Sequence, residues 1–288
     1  RDFCLSRGLG DVYKRQTVEA SKITVVKNGN LILDDVSFAA PAGKVTALIG
    51  PNGAGKSTLL AAISGDSRPT TGSVSLNGID VLSAPPTLLA QTRSVMLQDV
   101  SVAFSFLVRD VVEMGRTPWS KQSTPEMDRT IVDAALATAG VAHLEDRDVT
   151  TLSGGERARV AFARILAQQT PIAILDEPTV AMDIRFQEST MGTVRRLADA
   201  GRTVIVVLHD LQAAATYCDN VVCLNRGKVA AAGSVHDVYS PEILSEVYQW
   251  PINVEHTPSG LYVRPERDDR IEEHTSVLFS KKFAPEPC

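Results

Sequence analysis

Nine consecutive residues, 50–58, carry the spacing of a phosphate-binding loop. The stretch GPNGAGKST fits the pattern G-x-x-x-x-G-K-[ST], whose glycines let backbone N–H groups turn inward onto phosphate oxygens. A helical pattern follows the loop, so the positive end of a helix faces the anion. Lys56 is expected to reach the β- and γ-phosphates of a nucleotide, and the Ser57 hydroxyl to bind Mg²⁺. The residues predicted to hold the nucleotide here are Gly50, Pro51, Asn52, Gly53, Ala54, Gly55, Lys56, Ser57 and Thr58.

Two further apolar runs end in residues that could act on the phosphates. In IAILDEP, four apolar residues place Asp176 and Glu177 at the carboxyl end of a buried strand, where ligands gather in a parallel sheet. Asp176 is expected to hold Mg²⁺ through water, and Glu177 to orient and polarise the attacking water. Such an acidic pair can also simply face solvent, and the phosphate loop favours the catalytic interpretation. His209 ends the next run, TVIVVLHD, and is expected to donate to the γ-phosphate or position the water.

The elements around these residues predict an α/β fold. The continuous apolar runs are typical of parallel strands covered on both faces, and helical patterns such as GERARVAFARILAQ alternate with them. Three stretches before and after the loop, VEASKITVV, LILDDVSFAA and GSVSLNGIDV, read as antiparallel strands. The pattern therefore predicts a parallel-sheet core, an N-terminal antiparallel β subdomain and an inserted helical subdomain at about residues 100–160.

Composition bounds the class of protein. The chain has 288 residues, is 44% hydrophobic and carries a net charge of −5, which argues against a nucleic-acid partner. The four cysteines form no CxxC pair, which favours reduced thiols in a cytosolic protein. No apolar run approaches the roughly 18 residues that cross a bilayer, so membrane attachment would need a partner.

The ends of the chain differ from the central domain predicted at residues 17–235. Residues 1–16 begin without Met and lack hydrophobic periodicity, so we expect a non-native or disordered leader. Residues 236–265 are predicted to form a short C-terminal extension, with a helix from Pro241 followed by two strands. Its two histidines, His236 and His256, are predicted to be isolated. Residues 266–288 are charged and predicted to be a loosely ordered tail.

These motifs, together with LSGGE at 152–156, resemble the nucleotide-binding subunit of ABC transporters over about residues 18–250. The resemblance implies a P-loop ATPase that uses ATP and Mg²⁺ and works as a head-to-tail homodimer. Ser153, Gly154 and Gly155 would then reach the phosphates bound by a second subunit. Asp183, in AMD at 181–183, would contact that subunit. Gln98 matches the family's glutamine loop and would sense Mg²⁺ or the attacking water.

The amino-acid sequences of three segments resemble those of bacterial haem-import ATPases, which belong to the iron-chelate and cobalamin importer group. These segments are SGDSRPTTGSVSLNG, VMLQDVSVAFSFLVRDVVEMGRTPW and SPEILSEVYQWPINVEH. The resemblance implies two transmembrane permease subunits, a substrate-binding protein acting through them, and a location on the cytoplasmic face of the bacterial inner or plasma membrane. Import of a ferric siderophore or cobalamin is the alternative. A soluble ABC protein is less favoured, since long coiled coils or a second motif set are missing from the sequence. An exporter motor is less favoured because fused membrane helices are missing.

The stretch Gln98–Trp119 is predicted to join the ATP site to the membrane partner. In the family this region receives short helices of the membrane subunits, and a groove lined partly by apolar side chains would suit them. Packing of all these side chains inside the core is the alternative. Ser105 is expected to cap the helix that follows. The apolar residues concerned are Phe104, Phe106, Leu107, Val108, Val111, Val112 and Met114.

One feature departs from the family. An aromatic residue usually precedes the phosphate loop and stacks on adenine, whereas the candidates here are Val25, Val26 and Lys27. We therefore expect poor selectivity for the base.

Overall fold

The computed structural model describes residues 17–97, 105–258 and 260–267. The strands in chain order are β1 (Val18–Lys27), β2 (Asn30–Ala40), β3 (Val45–Ile49), β4 (Thr71–Leu76), β5 (Ile79–Asp80), β6 (Arg93–Met96), β7 (Ile172–Asp176), β8 (Thr203–Val207), β9 (Asn220–Asn225), β10 (Lys228–Ser234), β11 (Ile252–Thr257) and β12 (Gly260–Pro265). The α-helices are α1 (Lys56–Ser64), α2 (Pro86–Thr92), α3 (Val108–Glu113), α4 (Pro125–Thr138), α5 (Gly154–Gln168), α6 (Ile184–Asp199), α7 (Leu211–Tyr217), α8 (Val235–Val238) and α9 (Pro241–Tyr248). Short 3₁₀ turns lie at Met114–Trp119, Ala142–Leu144 and Val149–Thr151.

The core is a six-stranded sheet in the order β10-β9-β3-β8-β7-β6. All neighbouring pairs from β9 to β6 are parallel, and β10 is antiparallel to β9. Every residue of β3, β7 and β8 is buried, which for β7 and β8 confirms the prediction made from their continuous apolar runs. Because parallel strands end at one edge of the sheet, the segments that follow β3, β7 and β8 meet there.

A second sheet, in the order β2-β1-β4-β5, is antiparallel throughout, as predicted. The turn between β4 and β5 is formed by Asn77 and Gly78, both with positive φ, which is the geometry that Asn-Gly favours. Leu59, Leu60 and Ile63 of α1 pack in one hydrophobic cluster with the inner face of this sheet and with β7 and β8. The helix that follows the phosphate loop is therefore held between the two sheets.

The segment after β6 is helical where it is described. The expectation that Ser105 caps its first helix is wrong. Leu107, not Ser105, is the residue before α3, and no side chain caps the helix. The Ser105 hydroxyl donates instead to the Asp148 carboxylate. The first two amides of α3 donate to backbone carbonyls within residues 145–147 at 2.9 and 3.0 Å. These donors are therefore satisfied without a capping hydroxyl.

The apolar residues of this segment divide between core and surface. Val108, Val111 and Val112 are buried against α5, whereas Phe106, Leu107 and Met114 are 38%, 43% and 42% exposed. The described apolar residues of this segment are therefore neither all packed in the core nor all exposed on the surface. Gln98 and Phe104 lie outside the described residues.

The C-terminal segment forms the predicted helix and two strands. The Ser240 hydroxyl caps α9 by accepting from Ile243 N at 3.2 Å, and β11 pairs antiparallel with β12. Leu244, Val247, Ile252 and Leu261 join the same core cluster as β3 and α5. His236 and His256, which are distant in sequence, lie with their rings stacked and the ring centroids 6.1 Å apart.

The predicted leader, 1–16, and residues 268–288 of the predicted tail lie outside the described residues. Across the ranges that are described, none of the helices is long and apolar enough to span a bilayer.

Candidate nucleotide-binding site

The phosphate loop joins β3 to α1 and has a backbone that requires glycine. Gly50 has φ 143°, and a Cβ there would lie 2.2 Å from the Leu224 carbonyl oxygen of β9. The loop then turns through Gly53 and Gly55, also at positive φ, before α1 begins at Lys56. This path leaves room for an anion at the amino end of α1.

Lys56 is the buried cation of the loop, with only 7% of its surface exposed. Its Nζ donates to the carbonyls of Gly50 at 2.6 Å and Pro51 at 3.1 Å. Burial lowers the pKa of this amine, while the nearby charges of Glu177 and Asp176 oppose that shift. The Lys56 ammonium thus lies beside the loop and near the carboxylates of Asp176 and Glu177. From this position it could also donate to phosphate oxygens.

Asp176 ends β7 and is buried, with 4% exposure. Within the described residues, its Oδ1 atom has no hydrogen-bond partner. Burial, and then the charge of Glu177, raise the pKa of this carboxyl above its ordinary range. A buried carboxylate oxygen left without a partner fits an oxygen ligand of Mg²⁺, directly or through water. The described residues hold no group of three or more His, Cys, Asp or Glu that could bind a metal by themselves, so the ion would also need the phosphates of the nucleotide.

Glu177 and His209 are brought together although they lie on loops after different strands. His209 Nε2 is in hydrogen-bond contact with Glu177 Oε1, and the ring donates to the carboxylate when that nitrogen carries the proton. The Glu177 side chain is largely buried, while that of His209 is 45% exposed. Glu177 also has φ 50°, a left-handed conformation that non-glycine residues rarely adopt. A carboxylate held in this way beside an accessible imidazole is a suitable acid–base pair.

Lys56, Glu177 and His209 line one open cavity of about 620 Å³ together with part of the phosphate loop, whereas the buried Asp176 does not line it. Gly50, Pro51 and Ala54 complete the loop without lining it. Sequence reasoning missed one lining residue, Ile32 of β2, because its position next to the loop depends on how the second sheet packs. The lining residues are Ile32, Asn52, Gly53, Gly55, Lys56, Ser57, Thr58, Glu177 and His209.

The LSGGE motif forms the start of α5. Ser153 caps the helix through Glu156 N at 3.3 Å, and its hydroxyl donates to Glu156 Oε2 at 2.7 Å. The Ser153 amide, which donates to Glu156 Oε2 at 2.8 Å, and then the Ser153 hydroxyl lower the pKa of Glu156 below its ordinary value. A Cβ on Gly155 would lie 2.5 Å from Ala181 O, so this motif packs closely on the AMD segment.

The four residues predicted to meet a second subunit do not line the cavity of their own chain. Ser153 and Gly154 are exposed, and Gly155 is partly buried. Asp183 is exposed and caps α6 by accepting from Phe186 N at 3.0 Å. They therefore lie outside the phosphate cavity of their own chain.

The fold, the phosphate loop and the acidic strand end define a P-loop nucleotide hydrolase. The sequence model of the ABC transporter family matches residues 33–180, and the chain belongs to this family. It is 47% identical to the hemin import ATP-binding protein HmuV of Rhodococcus jostii (strain RHA1), over 88% of each chain. It is 42% identical to the cobalamin import ATP-binding protein BtuD of Halobacterium salinarum (strain ATCC 29341), over 84% of this chain and 61% of that one.

The fold is also similar to that of a solved structure with bound nucleotide. The dimeric ATP-binding cassette MJ0796, bound to ADP and Pi, superposes with a TM-score of 0.70 at 26% identity, over 76% of this chain and 98% of that one. The chain is thus an ABC-type ATPase with the expected α/β fold.

Asp176→Asn is expected to stabilise the nucleotide-free protein while removing Mg²⁺-dependent hydrolysis. Because burial raises the pKa of Asp176 in the folded state, its charge destabilises the fold above that pKa, and the penalty fades as pH falls. At neutral pH we therefore expect a higher melting temperature for Asp176→Asn than for the wild type. The gain should vanish near pH 4, which thermal melts across pH would measure. A lower melting temperature at neutral pH would contradict this account.

GTP is expected to compete with ATP within about tenfold, a difference of about 1.4 kcal/mol. Val25 is buried and cannot stack on a base, and neither Val26 nor Lys27 lines the cavity, whereas the apolar Ile32 does. An aliphatic contact lacks hydrogen bonds that read the base. Displacement of a fluorescent ATP analogue by ATP and by GTP gives the ratio. A preference above a hundredfold would show that another residue recognises adenine.

Proposed function

We propose that this chain is the ATP-hydrolysing subunit that powers haem import by an ABC transporter. The geometry supports hydrolysis because one cavity joins the phosphate loop to Glu177 and His209. The choice of cargo rests on one observation, the 47% identity to a hemin import ATP-binding protein across 88% of both chains. Cobalamin or ferric-siderophore import is the second candidate, and the 42% identity to a cobalamin import protein favours cobalamin.

In this proposal the polar groups in and beside the cavity have separate roles in cleaving the γ-phosphate. The loop amides and Lys56 bind the phosphates and orient the γ-phosphorus for in-line attack. Glu177 accepts a hydrogen bond from the attacking water and takes its proton as the new P–O bond forms and the bond to ADP breaks. His209 keeps the Glu177 carboxylate in place and can donate to the γ-phosphate. Ser57 and Asp176 would hold Mg²⁺, which neutralises charge on the β- and γ-phosphates.

The catalytic unit in this proposal is a head-to-tail homodimer. The cavity of one chain is open, and the exposed residues Ser153, Gly154 and Asp183 lie outside it. A second copy would bring its LSGGE amides onto the γ-phosphate, where the amino end of α5 favours an anion. Gln98 is proposed to complete the same site.

Two transmembrane permease subunits are the proposed membrane partners. Phe106, Leu107 and Met114 offer apolar surface next to α3, and a partner helix could pack on it. Through the permease the subunit would lie on the cytoplasmic face of the bacterial membrane and respond to a substrate-binding protein outside.

Reconstitution with candidate permeases tests the proposal. The chain would be combined in liposomes with permeases for haem, ferric siderophores and cobalamin, each with its substrate-binding protein. We expect haem-stimulated phosphate release only with the haem permease, and Glu177→Gln in the same liposomes gives the background. Stimulation by cobalamin alone would replace the cargo assignment, and no ATP hydrolysis in any combination would overturn the ATPase itself.

A further inference from the structure

The C-terminal helix α9 reaches the phosphate loop through its last residue. The Tyr248 hydroxyl accepts a hydrogen bond from Gly50 N at 3.0 Å, a contact between residues 198 positions apart. Tyr248 is partly buried, and burial raises the pKa of its phenol, so the hydroxyl keeps its proton at physiological pH. The first glycine of the loop is thus bound by a side chain from outside both the loop and the sheet.

Gly50 links this tyrosine to the cation of the site. Its amide donates to Tyr248, and its carbonyl accepts from Lys56 Nζ at 2.6 Å. On its remaining side, Gly50 packs so closely on Leu224 O that a Cβ would not fit. The bond from Tyr248 fixes the position of the Gly50 amide, and displacement of this residue would move the carbonyl that holds Lys56.

The same C-terminal segment is attached to the chain just after His209. Tyr239 Oη donates to Leu211 O at 3.0 Å. The Gln212 side chain donates to Leu261 O at 2.9 Å and accepts from Val263 N at 2.9 Å, which fixes β12 to α7. The segment is therefore held in register with both the phosphate loop and the loop that carries His209.

We propose that Tyr248 is a positioning residue for nucleotide binding, which fixes Gly50 and through it the ammonium of Lys56. This inference rests on the proposed function, namely that the cavity binds ATP. It assigns the C-terminal segment a role in phosphate affinity within its own chain. A helix that only filled space would need no hydroxyl at this position.

Tyr248→Phe is the test, because Phe keeps the ring and its packing and removes only the acceptor. We expect about a tenfold higher KM for MgATP and Kd for MgADP, with kcat at saturating ATP changed less than about threefold. Ser245→Ala is the matched control. It lies on the same helix and loses two hydrogen bonds to Ile252, at 2.9 and 3.4 Å, without touching the loop. It should lower the melting temperature and leave KM unchanged.

Amide hydrogen exchange gives a direct second readout. In the wild-type, nucleotide-free protein the Gly50 amide should be protected, and Tyr248→Phe should remove that protection. Unchanged KM in Tyr248→Phe, an equal rise of KM in Ser245→Ala, or rapid Gly50 exchange in the wild type would each overturn the inference. Absence of ATP binding by the wild-type protein would instead overturn the proposed function.

Discussion

Glu177→Gln is expected to reduce ATP turnover by at least about a hundredfold and to leave an ATP-bound dimer. The amide has the shape of the carboxylate and can keep the contact with His209, so the cavity should be preserved. It cannot accept the proton of the attacking water, so hydrolysis stops after nucleotide binding. Since the proposed dimer is held by ATP at both sites, loss of hydrolysis should make it long-lived.

Phosphate release and size-exclusion chromatography with MgATP measure the two effects. Glu19→Gln, which changes an exposed carboxylate on β1, is the control and should behave as wild type. If Glu177→Gln hydrolyses ATP at a near-normal rate, Glu177 is not the base. If turnover is lost and the variant remains monomeric with ATP, Glu177 acts but the dimer assignment is wrong.

Lys56→Ala is expected to weaken MgATP binding by at least about tenfold and to reduce hydrolysis as well. The buried ammonium is the positive charge beside Asp176 and Glu177, and its attraction opposes the raised pKa of Asp176. Without it, the pKa of Asp176 rises further and the two carboxylates repel the phosphates. Both the affinity and the protonation state of the site therefore change.

Isothermal titration with MgATP and steady-state hydrolysis test this prediction. Lys44→Ala is the matched control, since Lys44 lies just before β3 and forms an exposed ion pair with Asp219 at 2.9 Å. It should cost no more than about 1 kcal/mol of stability and leave nucleotide binding intact. Wild-type affinity in Lys56→Ala would show that the loop amides alone bind the phosphates.

The features that the sequence predicted well are local. The phosphate loop is continuous in sequence. The buried strands can be identified from their uninterrupted apolar runs, because parallel strands covered on both faces are apolar throughout. Asp176 ends β7 as predicted, whereas His209 lies in the loop beyond Val207, the last residue of β8, at the edge that the carboxyl ends of parallel strands share. Glu177 and His209 could be put in the same neighbourhood on this basis, although their direct contact could not.

The features that escaped prediction depend on distant segments. Ile32 enters the cavity because the second sheet packs over α1, and nothing in its neighbourhood along the chain indicates this. Tyr248 binds Gly50 although the two residues are 198 positions apart in sequence. The Ser105 hydroxyl donates to Asp148 and does not cap the next helix, whose first amides already donate to backbone carbonyls. These contacts form between groups that are distant in sequence, so they can be identified only after the fold has brought the groups together.

The hydrogen bonds at the start of α5 have a consequence for how the proposed dimer assembles. The Ser153 hydroxyl already donates to Glu156, so the isolated chain carries its own negative group where an incoming phosphate would be received. Because one hydroxyl proton serves one acceptor, the Ser153 hydroxyl would have to leave Glu156 in order to donate to a phosphate in the proposed dimer. The Ser153 amide also donates to the same Glu156 carboxylate at 2.8 Å, and this bond does not use the hydroxyl proton. In the proposed dimer Ser153 would therefore have two alternative acceptors, Glu156 of its own chain before closure and the phosphate of the partner's nucleotide after it, and the bond to Glu156 would order the start of α5 in the separate chain.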